Sequence, residues 1–164
     1  DGAAASYLAA GSRSLTCIDT IAPMIDAAKK RLGEHAHVRT LVADVHDLPF
    51  SEESFDSVLL FHTLTYVERP KRAVAECARV LRPGGRLVVL SLDEHDQSKI
   101  TSAFGERHPG FAPRALKALL SKAALDPISC QIACRETKKP HFVVLSAVAR
   151  KPEVSPRKKS PSRS

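Results

Sequence analysis

The stretch from Leu15 to Asp44 constrains the fold more than any other part of the chain. Two short, β-branched apolar runs, "LTCID" and "VRTLVAD", each end on an acid, and a segment of helical period lies between them. Val, Ile and Thr suit a pleated, half-buried backbone, so runs of this length read as strands. Between them Pro23 stands where a first helical turn tolerates it, and Ile21, Ile25, Ala28 and Leu32 recur at helical spacing. A strand, a helix and a strand in so short a span make a crossover, and a crossover makes the two strands parallel.

The same alternation continues. "DSVLLFH" is a third, strongly apolar strand, and Pro70 opens a helix with Ala73, Val74, Cys77 and Leu81 on one face. "RPGG" is expected to stop that helix before the strand "RLVVLSL". At the other end, "DGAAASYLAAG" reads as a glycine turn feeding a helix over Ala3 to Ala10. Further on, the helix-like "PRALKALLSKA" precedes "DPISCQIACRE", the polar turn "TKKP" and "HFVVLSAVAR". Two runs joined by so short a turn must be antiparallel. The expected fold class is therefore α/β, a Rossmann-like, mostly parallel sheet closed by an antiparallel hairpin. The polar stretch between Leu92 and Phe111 is expected to be part helix and to cover the strand ends.

The net charge of +7 suggests nucleic acid until it is located: residues 150–164 hold +5 of it and leave the rest nearly neutral. A domain over 1–150 and a basic, disordered tail over 151–164 are expected, because a Pro, Ser and Lys run buries too little apolar surface to order itself. No aromatic stacking platform argues for direct nucleic-acid binding. Four scattered cysteines without a CxxC pair indicate neither a disulfide framework nor a zinc site. Cys130 and Cys134 would stand about 13 Å apart along one strand, beyond disulfide reach. A reducing, cytoplasmic setting is expected, with no membrane partner, since no apolar run reaches spanning length. The seven histidines show no metal-ligand spacing.

In open α/β sheets ligands bind beyond the carboxyl ends of the strands. Asp1 and Gly2 open a helix whose first amides can face a ligand. Asp19, with Thr20 beside it, ends one strand, where a carboxylate can accept both hydroxyls of a ribose. Asp44 ends the next, placed to accept from an exocyclic amine. Each acid alone reads equally as a turn former or helix cap; their occurrence at successive strand ends favours the nucleoside.

On these residues the chain resembles the class I methyltransferases that use S-adenosylmethionine, particularly those acting on small molecules. The matching stretches are the initial "DG", "CIDTIAPMIDAAKKR", "VADVHDLPF", "FDSVLLFHTLTYVERPKRAVAECARVLRPGGRLVVL" and the terminal hairpin. More narrowly, "HTLTYVERP", "EHD", "HPGF" and "KPHF" are similar to the methyltransferase-type domain fused behind winged-helix, ArsR-type repressors in bacteria.

The resemblance implies a sheet of order 3-2-1-4-5-7-6 and S-adenosylmethionine as cofactor. It implies that Gly2 ends the cofactor loop, that Asp19 holds the ribose hydroxyls, and that Ile21 and Met24 flank the adenine, although both also fit a packed helix face. Asp44 and the Val45 amide would read the adenine edge, with Phe61 and His62 near the sulfonium and the acceptor. His62 and His95 are the candidate bases and Tyr66 a candidate for orienting the acceptor, because imidazole titrates near neutrality. Each could equally be structural.

Two functions follow: methylation of a small molecule, or sensing of S-adenosylmethionine or its demethylated product without turnover, with DNA reached only through a fused domain. The resemblance also implies that the family's first, central strand, between those ending at Asp19 and His62, precedes residue 1. Without it, these residues are expected to bind cofactor poorly.

Overall fold

The computed structural model describes residues 2–33 and 35–153. Asp1 and the expected tail from 154 onward lie outside the described residues. The chain divides into two units, Asp1–Pro49 and a second beginning at Phe50.

The first unit runs α1 (Ala3–Ala9), β1 (Leu15–Asp19), α2 (Ala22–Leu32) and β2 (Val38–Val42). The two strands pair in parallel, from Leu15 opposite Val38 to Asp19 opposite Val42. Helix α2 carries its proline in the first turn and buries Ile25, Ala28 and Leu32. Ile21 leaves that face: it is the residue before the helix, in extended backbone, and 54% exposed. Gly2 adopts φ 76°, and a Cβ there would lie 2.9 Å from the Ala28 Cα. Only glycine satisfies both the left-handed turn and the close approach of α1 to α2. The His37 Nε2 lies 2.9 Å from the Ala9 carbonyl, tying the end of α1 to the approach to β2.

The second unit contains β3 (Phe55–Phe61), α3 (Pro70–Val80), β4 (Leu81–Leu92), the short α4 (Ser98–Thr101), a 3-10 turn (Ser102–Phe104), α5 (Pro113–Lys122), β5 (Asp126–Arg135) and β6 (Val143–Arg150). Its sheet has the order β3-β4-β6-β5, parallel between β3 and β4 and antiparallel thereafter. The helix–strand–strand end of the chain is thus an antiparallel closure of a parallel start, as its short turn requires. Val74 and Cys77 of α3 and Leu116 and Leu120 of α5 are fully buried, as are Leu87 and Leu145 of the sheet. The four-residue α4 and the 3-10 turn supply the partial helix expected between Leu92 and Phe111.

One boundary differs from expectation. "RPGG" does not separate α3 from the next strand: extended backbone starts at Leu81, directly after the helix, and the four residues form an irregularity inside β4. Pairing passes from Phe55 opposite Leu81 to Ser57 opposite Arg86. Gly85 permits this, since a Cβ there would meet the Arg82 carbonyl at 2.8 Å and the Asp56 carbonyl at 3.1 Å. Leu81 remains wholly buried, but as the first residue of β4 rather than the last of a helix face.

Together the two sheets reproduce the pairings 3-2 and 4-5-7-6 of the expected order. Hydrogen bonding continues past Arg150: the Gly84 N–H donates to the Lys151 carbonyl at 2.9 Å and the Lys151 N–H to the Gly85 carbonyl at 2.8 Å. Among the described residues no helix is long and apolar enough to cross a membrane.

Candidate functional site

In the first unit the carboxyl ends of β1 and β2 carry the two acids. The Asp19 Oδ1 accepts the Ile21 N–H at 2.9 Å, and the Asp19 carbonyl accepts from Ala43 at 3.0 Å. The first bond orients the carboxylate and leaves Oδ2 for a hydroxyl donor. Asp44 Oδ1 accepts the His46 N–H at 2.8 Å and lies 2.7 Å from His46 Nδ1, so this acid shapes the loop after β2. Val45 and His46 are buried, while Thr20 is exposed. Ile21 and Met24, whose spacing also fitted a packed helix face, stay largely exposed at 54% and 42%. Such apolar side chains beside a strand-end carboxylate can sandwich a planar base. Gly2, on the same unit, is explained by its approach to Ala28.

The second unit has a cavity of about 210 Å³ at the carboxyl ends of β3 and β4. His62, the residue after β3, lines it, as does Tyr66 in the following turn. Glu106 and Glu136 add two carboxylates, and Leu92, Thr101, Phe104 and Phe142 complete the wall. His62 holds φ 49°, an uncommon conformation for a residue with a side chain, and its N–H donates to the Leu90 carbonyl at 2.8 Å. The buried Thr65 hydroxyl donates to the His62 carbonyl at 3.2 Å, and the Thr65 carbonyl accepts from the Arg107 and His108 amides. The turn carrying Tyr66 is thereby fixed to the loop carrying Glu106. Partial burial, and secondarily the Glu106 charge, push the Tyr66 phenol above its ordinary value. Phe61 precedes His62 and is 38% exposed.

His95 stands behind Glu106 rather than on the cavity wall. Its Nδ1 accepts the Gln97 N–H at 3.2 Å, which leaves the ring proton on Nε2, 3.6 Å from Glu106 Oε2. In that tautomer Nδ1 is occupied and Nε2 carries its proton toward Glu106 without reaching hydrogen-bond distance. The structure therefore gathers His62 and Tyr66 at one cavity, and Asp19, Thr20, Ile21, Met24, Asp44 and Val45 around one pair of strand ends. Glu106 was not singled out by the sequence; its only signal there is a lone acid between Gly105 and Gly110, in the stretch expected to cover the strand ends.

The profile of the family described as "Methyltransferase domain" matches residues 1–89, more than half of the chain. The chain belongs to the methyltransferase domain family. The demethylmenaquinone methyltransferase of Clavibacter sepedonicus is 29% identical over 123 residues, which cover 75% of this chain and 50% of that protein. Nodulation protein S of Rhizobium tropici is 36% identical over 90 residues, covering 53% of this chain and 37% of that protein. The chain spans half or less of the length of these two relatives. Among solved structures, the N-methyltransferase NodS from Bradyrhizobium japonicum WM9 superposes with a TM-score of 0.76 at 25% identity, covering 93% of this methyltransferase domain and 81% of that chain. A SAM-dependent methyltransferase from Methanosarcina mazei, at 19% identity, a TM-score of 0.72 and coverage of 92% and 87%, shares the α/β Rossmann-like fold.

Proposed function

We propose that this methyltransferase domain uses S-adenosylmethionine to methylate a small-molecule acceptor. The observation that carries the reading is the register of the first unit, which sets Asp19 and Asp44 at the carboxyl ends of two paired parallel strands. The oriented carboxylate of Asp19 fits a ribose diol, and the exposed Ile21 and Met24 fit the faces of an adenine, so the residues present suit the cofactor. When bound, S-adenosylmethionine supplies an electrophilic methyl on a sulfonium, and displacement at that carbon needs alignment and exclusion of water more than a protein nucleophile. In the second unit's cavity Tyr66 is the group able to orient an acceptor and His62 the group able to take its proton.

Calorimetric titration of S-adenosylhomocysteine onto the full chain tests the reading. Replacing Asp19 by Ala removes a charge-assisted acceptor and should weaken binding by at least about tenfold. Unchanged affinity would take Asp19 out of the site, and no binding by the unsubstituted chain even at about millimolar S-adenosylhomocysteine would count against the cofactor assignment.

The likeness of "EHD", "HPGF" and "KPHF" to a repressor-fused domain supports a second reading, a sensor of the cofactor or its demethylated product without turnover. Residues of two of these motifs border cavities of the second unit, Phe142 the larger one and His95 and His141 a smaller one beside it. Transfer of radiolabelled methyl groups to cell-extract metabolites separates the two readings: turnover removes a purely sensory role.

A further inference from the structure

The cavity at the ends of β3 and β4 has a chemical bias. Two carboxylates, Glu106 and Glu136, line it, and among the described residues no lysine or arginine does. Glu106 is the unusual one, because its side chain is only 6% exposed and its Oε2, itself withdrawn from solvent, has no hydrogen-bond partner among the described residues. The 3.6 Å separation from His95 Nε2 is too long for a hydrogen bond. A carboxylate withdrawn from water and short of donors is costly to keep, and a ligand that brings a positive donor removes that cost. The Gln97 N–H donates to the His95 Nδ1, and the Phe142 ring lies tilted against the His95 ring with centroids 4.8 Å apart. Tyr66, Phe104 and Phe142 give the cavity aromatic surface, which favours a cation over an anion.

We infer that this cavity receives an amine, its protonated nitrogen on Glu106 and its apolar body against Tyr66, Phe104 and Phe142. The inference deepens the methyltransferase reading and rests on it for the role of the amine as acceptor; the binding preference itself needs no cofactor. A space of about 210 Å³ admits a ligand the size of a single substituted ring.

The test uses three probes that share a benzyl group and differ in charge, benzylamine, benzyl alcohol and phenylacetate, titrated onto the full chain by ligand-observed NMR. Benzylamine should bind at least about tenfold more tightly than the alcohol, and phenylacetate more weakly than either. Glu106→Gln should abolish the preference for the amine, and Glu136→Gln, on the exposed rim, should reduce it two- to threefold, as a screened charge does. Thermal melts establish that each variant is folded. If Glu106→Gln does not fold, Phe104→Ala, at a side chain 75% exposed, replaces it and should weaken the amine more than the alcohol. Equal binding of amine and alcohol, or preference for phenylacetate, overturns the inference. A parallel titration with S-adenosylhomocysteine keeps the two proposals apart. Binding of S-adenosylhomocysteine without amine preference removes the amine and leaves the methyltransferase reading, and amine preference without S-adenosylhomocysteine binding does the reverse.

Discussion

Tyr66 and Glu106 face the same cavity from different loops, and their coupling can be read directly. The chain has two tyrosines and no tryptophan, so phenolate absorbance in the near ultraviolet reports Tyr66 and the highly exposed Tyr7 alone. Burial is the larger cause of the raised Tyr66 value and the Glu106 charge the smaller. A negative neighbour disfavours a phenolate, so Glu106→Gln should lower the Tyr66 midpoint while leaving it above the ordinary 10.0. A spectrophotometric titration with Tyr66→Phe as the assignment control measures the change. A midpoint that does not move would separate the two side chains electrostatically. At the same scale Asp19 and Asp44, both strand-end acids in the sequence, prove different: one carboxylate is oriented by a single amide, the other engaged by a whole histidine.

Between elements the forces are close approach and terminus chemistry. Gly2 combines a left-handed turn with contact against Ala28, so Gly2→Ala should destabilise the first unit by about 1–2 kcal/mol, measured as a fall in melting temperature. Lys151 offers a second case. Its ammonium donates to the Leu81 carbonyl at 2.7 Å and lies 3.5 Å from the Arg79 carbonyl, at the carboxyl end of α3. A cation there offsets the helix's terminal carbonyls, typically by about 0.3–1 kcal/mol. Chain removed after Glu153 should therefore leave the melting temperature unchanged, whereas removal after Arg150 should lower it. Equal melts for the two truncations would show that Lys151 adds nothing. The tail boundary expected at 150 rested on composition, which sees the Pro, Ser and Lys run but not the backbone pairing of Lys151 with Gly84 and Gly85.

At the scale of the molecule, what could be read in advance was what depends on period and on strand ends: the α2 face of Ile25, Ala28 and Leu32, the parallel pair ending on acids, and the antiparallel closure. Hidden from that reading was whatever depends on segments distant in sequence meeting, as when Glu106 and Phe142 join His62 around one cavity. The fold also leaves a question that only the whole chain poses. Among the described residues β1 pairs with β2 alone and β3 with β4 alone, so each has an edge of backbone donors and acceptors without a strand beside it. Parallel strands with such edges are normally covered on both sides, because unpaired backbone groups either cost stability or recruit another chain. An apolar, β-branched strand added before residue 1 as a probe of these edges should raise the melting temperature by several degrees where it pairs with one of them. An extension of the same composition in scrambled order is the control, since it adds mass and apolar surface without the alternation a strand requires. If both extensions behave alike, the edges are not receptors for that strand. If only the ordered one acts, at least one of these edges accepts a strand.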